Sequence, residues 1–358
     1  MKIEDRIVAF SKLGNIISLS LEGIKSNTYN SNISLNIDFI TAINDAQANN
    51  PWFIKEFIIN CLQEISNQLK SESLNCWLNK YDCKKLSEKT TKTVALITAG
   101  NIPLVGFHDI LSILISGNNL LIKVSQKDSV LTKLFINLLC KIEPQFNDKI
   151  KFSDANLSNF DAIIATGSNN TSRYFDYYFN KYPSIIRRNR NSIAILNYDD
   201  SENDLNKIAD DIFLYFGLGC RNVSKIFIPK GFVIEKLFKV FETYKEILFN
   251  HNKYMNNYEY NKAIFLVNKT PFFDNGFVLL NQNENISSPI SVIYFEYYDN
   301  FDYVNNKIEI NKNQIQCVIS NNKNVSNSIS IGEAQSPKLW DYSDNIDTMK
   351  FLLNLKKE

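Results

Sequence analysis

Thr93-Val94-Ala95-Leu96-Ile97-Thr98-Ala99-Gly100-Asn101-Ile102-Pro103 is the stretch that decides how this chain folds. It begins as a short continuous apolar run, the pattern of a strand covered on both faces, and breaks at glycine, asparagine and proline into a loop. The figure then repeats. Residues 104–115 read as a helix, 120–124 as a strand, 129–140 as a helix, 162–165 as a strand, 171–182 as a helix and 192–196 as a strand. Such alternation, with strands apolar along their whole length, gives an α/β fold whose parallel sheet carries helices on both faces. Ligands of such sheets bind beyond the carboxyl ends of the strands, so the residues after each strand are the first candidates for a site.

Downstream, 225–228, 263–267, 292–297 and 316–320 read as strands and 233–250 as an amphipathic helix, a second α/β unit. Upstream, the first ninety or so residues read as helical. Ile54, Phe57, Ile58, Cys61, Leu62, Ile65 and Leu69 recur at helical spacing, with Cys61 as core filler on that stripe. Cys76 and Cys83 flank Trp77 without partner spacing and read as structural.

Composition narrows the class. The chain has 358 residues, 44% of them hydrophobic, enough to bury a large core and to form two domains. A net charge of +1 supplies no field that would steer it to nucleic acid or to an anionic membrane surface. Six cysteines without a CxxC pair, and two histidines, argue against a metal site or a disulfide framework. Met1-Lys2-Ile3-Glu4-Asp5-Arg6 is charged where a signal peptide is apolar, and no uninterrupted apolar run of membrane-spanning length follows. The expectation is a reduced cytoplasmic protein with no membrane span.

Three strand ends carry polar candidates: Thr98 to Pro103, then Lys123-Val124-Ser125-Gln126-Lys127, then Thr166-Gly167-Ser168-Asn169-Asn170. Gly167-Ser168 before a helix suits a pyrophosphate, and it equally suits a plain helix N-cap by Ser168 or Asn170. No G-x-G-x-x-G fingerprint follows any strand. Gly217-Leu218-Gly219-Cys220-Arg221-Asn222 places one cysteine between a helix expected over 202–216 and the strand 225–228. Two glycines allow a tight turn and Arg221 favours thiolate, which describes a nucleophile. A small core cysteine beside a turn is the other reading.

Ala-Gly-Asn-Ile-Pro, a strand ending in lysine, Ala-Thr-Gly-Ser and Gly-Leu-Gly-Cys-Arg-Asn, in that order, resemble the aldehyde dehydrogenase superfamily. More closely they resemble the acyl-CoA reductases of bacterial luminescence, the LuxC family, from about residue 93 to the C-terminus, where Gln335 to Tyr342 is also similar. The resemblance implies an aldehyde dehydrogenase-like fold: a helical part over 1–92, a Rossmann-type parallel-sheet nucleotide domain over 93–197, a catalytic α/β domain over 198–325 and a tail over 326–358 returning to the body.

It also implies roles. Cys220 forms the acyl thioester, and Asn101 donates to the thioester oxyanion together with the Cys220 N–H. Lys123 reaches the adenosine ribose, and Thr166, Gly167 and Ser168 hold the pyrophosphate. Gln126, neutral where NAD-preferring relatives carry glutamate, favours NADPH, with NADH as the alternative. Glu284 stands one residue from the family's ribose-gripping glutamate. Residues 186–190 carry no counterpart of the general-base glutamate that activates water, so the thioester is expected to be reduced. Arg187, Arg188 and Arg190 are either a phosphate-binding cluster or a solvated face, and His108 either acts near the site or is packed. The implied activity is reduction of a long-chain fatty acyl-CoA to the aldehyde, in a homo-oligomer, with an acyl-transferring partner protein as one source of substrate. The alternatives are a cysteine acyltransferase or thioesterase that uses no nicotinamide, and a non-catalytic scaffold.

Overall fold

The computed structural model describes residues 1–26, 33–82, 86, 90–154 and 157–355; the expectation for Cys83 falls outside them. Two compact units result, one of Met1–Arg188 with Lys338–Glu358 and one of Asn189–Pro337.

In the first unit, helices α1 (Ile3–Ser26), α2 (Ile33–Asn49), α3 (Lys55–Gln68) and α4 (Ser71–Leu78) precede the sheet. Strands β1 (Thr93–Ile97), β2 (Asn119–Lys123), β3 (Ile150–Phe152), β4 (Ala162–Thr166) and β5 (Ser184–Arg187) alternate with α5 (Phe107–Ile115), α6 (Ser129–Ile142) and α7 (Asn169–Phe179). They pair in parallel in the order β3-β2-β1-β4-β5. The order reverses beside β1, whose two neighbours are β2 and β4, and this is the switch point where such sheets open a ligand crevice. α5 is apolar almost all round and nearly every residue in it is buried, as expected of a helix sunk in a core.

By length and composition α1 could cross a membrane. Its apolar stripe Phe10, Leu13, Ile17 and Leu21 is buried in the core of this unit. Arg6 on the same helix is buried too, and donates to the carbonyls of Ile115 at 2.7 Å and Leu86 at 2.9 Å.

The second unit holds β6 (Asn191–Ile195), β7 (Val223–Pro229), β8 (Phe273–Asp274), β9 (Leu279–Gln282), β10 (Val292–Tyr298) and β11 (Ile315–Ile319). Their order is β11-β6-β7-β10-β9-β8, parallel except for the short edge strand β8. Helices α8 (Glu202–Phe213), α9 (Glu235–Phe241), α10 (Lys245–Phe249), α11 (Asn252–Val267) and α12 (Phe301–Asn311) accompany them, and the last helix, α13 (Thr348–Leu353), belongs to the first unit.

Several expectations need correction. The apolar run 263–267 is the last turn of α11, not a strand: His251 Nδ1 caps the helix by accepting the Tyr254 N–H at 3.1 Å, and the run continues that helix. A short apolar run does not by itself distinguish the two states. The helix expected over 233–250 breaks into α9, a 3₁₀ turn and α10. The helix expected to start at 104 starts at Phe107, because Leu104 is left-handed with φ +50°. The strand at 192–196 lies in the second sheet, beside β7 and β11. β3, β5, β8 and β9 were unforeseen, since strands of two to four residues carry too little apolar pattern to read, three of them at sheet edges and β9 inside the second sheet.

Candidate active site

Register brings the three polar strand ends of the first unit together. Ile97 at the end of β1 lies beside Lys123 of β2 on one side and Ala165 of β4 on the other. Loops 98–101, 124–127 and 166–168 therefore leave the same edge of the sheet. Gly100 lies against the second loop, since a Cβ there would sit 2.5 Å from Ser125 Oγ and 2.9 Å from Lys127 Cβ. Thr98 Oγ1 accepts the Ser125 N–H at 3.2 Å, and the Gln126 carbonyl accepts from Asn49 Nδ2 at 2.6 Å. Asn101, Gln126 and Ser168 are exposed at this edge and Lys123, Thr166 and Gly167 are half-buried.

Ser168 is the N-cap of α7, with Oγ accepting the Thr171 N–H at 3.2 Å. Gly167 is tightly placed, because a Cβ would lie 3.0 Å from the side chains of both Phe175 and Thr171. Main chain thus comes close to the helix start, as anion-binding turns require. Behind the Asn101 loop, Cys61 Sγ donates to the Pro103 carbonyl at 3.2 Å. Asp128 is buried there too; burial pushes its pKa up to about 8, against the pull of the Leu104 and Val105 amides and the Thr132 hydroxyl.

In the second unit Cys220 lies in a turn at the amino end of β7, half-buried. Gly219 and Asn222 close that turn, Asn222 N–H donating to the Gly219 carbonyl at 3.1 Å. The buried Asn222 side chain clamps it. Its Oδ1 accepts the Gly219 N–H at 2.8 Å, and its Nδ2 donates to the carbonyls of Asp211, Ile212 and Leu214 at 3.2, 3.2 and 2.9 Å. These are the carbonyls that the end of α8 leaves without helical partners.

α8 stops at Phe213 because Tyr215, Phe216 and Gly217 are all left-handed, with φ of +56°, +56° and +73°. For the two aromatic residues this conformation costs about 1–2 kcal/mol each. Both are buried, and Phe216 lies against His251 with ring centroids 4.1 Å apart. Ser192 Oγ donates to the Cys220 carbonyl at 3.0 Å.

Arg221 does not stand beside the thiol as a lone charge: its Nε donates to the Ala334 carbonyl at 2.5 Å. Asp211 holds the same segment, accepting the Gly332 and Ala334 N–H groups at 2.7 and 3.0 Å. Burial raises the Asp211 pKa to about 6, with Arg221 among the groups that oppose the rise.

Glu284, exposed in the loop after β9, pairs with Lys307 at 2.9 Å. That loop is tied to the start of β7, since Ser224 Oγ donates to the Ile286 carbonyl at 2.7 Å and Lys225 Nζ to the Asn283 carbonyl at 2.8 Å. Lys225 is fully buried and pairs with Glu296. The sequence reading passed over it because Lys225 only opens the expected strand 225–228, and it assigned no role to Asn222. The only sign of the clamp was an asparagine two residues after the cysteine.

The arginines form neither a phosphate cluster nor a single solvated face. Arg187 is buried with Asp109 and donates to Thr348 Oγ1 at 3.0 Å, Arg188 pairs with Asp176 at 2.7 Å, and Arg190 donates to the Lys312 and Ile315 carbonyls, both at 3.4 Å. His108 is packed between the rings of Trp77 and Tyr342 and touches the Leu339 carbonyl at 2.9 Å; burial lowers its pKa.

A family model described as acyl-CoA reductase (LuxC) matches residues 15–237, more than half of the chain and inclusive of Cys220. The chain belongs to the LuxC acyl-CoA reductase family. Membership makes it an oxidoreductase of acyl groups. Solved structures give the fold of this LuxC-family chain, which is that of aldehyde dehydrogenases. Aldehyde dehydrogenase 21 from Physcomitrella patens, in complex with the reaction product succinate, is 10% identical with a TM-score of 0.67, over 99% of this chain and 84% of that one. The NAD-dependent aldehyde dehydrogenase from Sinorhizobium meliloti is 11% identical with a TM-score of 0.65, over 92% and 74%. An aldehyde dehydrogenase from Mycobacterium tuberculosis, complexed with NAD+, is 12% identical with a TM-score of 0.57, over 87% and 72%. No curated protein matches the LuxC-family chain in sequence.

Proposed function

We propose that the chain reduces a long-chain fatty acyl-CoA to the fatty aldehyde through a thioester on Cys220, with NADPH as hydride donor. The observation that carries this reading is the Asn222-clamped turn, which presents a half-buried cysteine at the head of a fully buried strand in a member of an acyl-CoA reductase family. Strained backbone concentrates where function over-determines geometry, and two left-handed aromatic residues precede this cysteine.

A dinucleotide fits the edge at Lys123, Gln126, Thr166, Gly167 and Ser168. The close approach at Gly167 and the Ser168-capped start of α7 suit its phosphates, and the structural neighbour from Mycobacterium tuberculosis is a complex with NAD+. When bound, the nicotinamide supplies the hydride. Glu284 fits less well as a ribose ligand, because its carboxylate already pairs with Lys307.

The chain's own residues do the rest. Cys220 Sγ, as thiolate, attacks the thioester carbonyl; the C–S bond to CoA breaks, the CoA thiolate leaves and takes up a proton, and the acyl group stays on Cys220. The Cys220 N–H stabilises the oxyanion of each tetrahedral state, and the sulfur leaves when the aldehyde forms. The acyl-CoA arrives free or from an acyl-transferring partner protein.

Mass spectrometry of the full chain after acyl-CoA addition tests this reading. The expected result is acyl mass on the peptide that holds Cys220, lost when NADPH is added, with aldehyde released. Acyl turnover without NADPH would mark a thioesterase or acyltransferase, and a Cys220→Ala protein that retains full reductase activity would remove the reading altogether.

A further inference from the structure

We infer that the first unit binds a long-chain carboxylate in a cavity at the amino edge of its sheet, the edge opposite Ser168. The cavity has a volume of about 1100 Å³, slightly above the usual range of small-molecule sites. It opens where Lys92 precedes β1, Asp161 precedes β4 and Pro183 precedes β5. Phe160 and Tyr182, with centroids 4.3 Å apart, give it an aromatic lining, and Phe351 and Leu355, on and just after α13, add apolar surface. A hydrocarbon chain is the ligand such surfaces favour.

Charge selects the head group. Both lining carboxylates are already engaged. Asp161 accepts from Lys92 Nζ at 3.1 Å and the Thr93 N–H at 2.7 Å, and Asp347 accepts from the Tyr81 hydroxyl at 3.0 Å and the Lys350 N–H at 2.8 Å. The ammonium groups of Lys181 and Lys350, by contrast, make no ion pair with any carboxylate among the described residues. Two lysines without carboxylate partners beside an apolar cavity attract an anionic head and repel a cationic one. The site uses no residue of the proposed reductase chemistry, so it stands or falls separately.

Fluorescence titration with dansyl-undecanoic acid tests it, using full-length Cys220→Ala protein so that no acyl-enzyme forms. The Lys181→Gln/Lys350→Gln variant is expected to bind the probe about tenfold more weakly, while Lys181→Arg/Lys350→Arg retains the affinity. Dodecanoate is expected to displace the probe and dodecyltrimethylammonium to leave it bound. Binding in the glutamine variant within about twofold of the parent, or equal displacement by the cationic amphiphile, would overturn the proposal. Weak binding by the arginine variant, with its melting temperature unchanged, would do so as well.

Discussion

Asn222 accepts the backbone N–H of Gly219 at 2.8 Å, across the turn that carries Cys220. The same side chain donates to three carbonyls at the end of α8, so one buried amide joins the helix end to the turn. Asn222→Ala leaves those groups buried without partners, and a loss of about 2–4 kcal/mol is expected in urea unfolding. Cys220 alkylation, followed by peptide mass mapping, should change rate in the same variant. Asn222→Asp keeps the acceptor but loses the donors and should not restore stability.

Two glycines in the second unit should respond differently to alanine. Gly217 has φ +73°, and the nearest atom to an added Cβ is the Ile212 carbonyl oxygen at 3.5 Å, so only backbone strain of about 1 kcal/mol is expected. Gly332 has φ +89° and would place a Cβ 2.7 Å from Lys207 Cβ, so Gly332→Ala adds a clash to the strain. Its loss should exceed that of Gly217→Ala by about 1–3 kcal/mol in paired thermal or urea unfolding.

The buried pair of Arg187 and Asp109 is expected to behave asymmetrically. Asp109→Ala leaves the Arg187 guanidinium buried without its carboxylate and should cost about 3–5 kcal/mol. A double change to Asp109→Leu and Arg187→Met removes both charges and should lie well above the single variant in stability. A double-mutant cycle in urea measures the difference.

Asp128 makes stability depend on pH. Its folded pKa, near 8, stands above its ordinary value of 3.8, so between those values the folded chain binds more protons than the unfolded chain. Stability from this group is therefore full below about pH 4, falls as pH rises, and levels off above about pH 8. Asp211, raised to about 6, has the same sign over a narrower window. Asp128→Asn should gain on the parent steadily between about pH 4 and pH 8, and urea unfolding at several pH values checks the slope.

The parallel α/β pattern was legible in the sequence because β1, β2 and β4 are short apolar runs ended by Gly, Asn or Ser. Cys220 stood out in the sequence because two glycines precede it and an arginine follows it, with a small core cysteine beside a turn as the other reading. The motif order was enough to point to the family. What the sequence left open depends on contacts between residues distant in the chain. Arg187, read as part of a charged cluster, is buried because α5 brings Asp109 to it across 78 positions. Residues 263–267 are a different case: they continue the helix that starts at Asn252, and a short apolar run does not by itself tell helix from strand. The arginine after Cys220 anchors Ala334, a partner 113 residues away that no local pattern indicates. Local periodicity determines which segments become strands and helices; which buried charge meets which partner, and how the turn at Cys220 is clamped, only the tertiary packing decides.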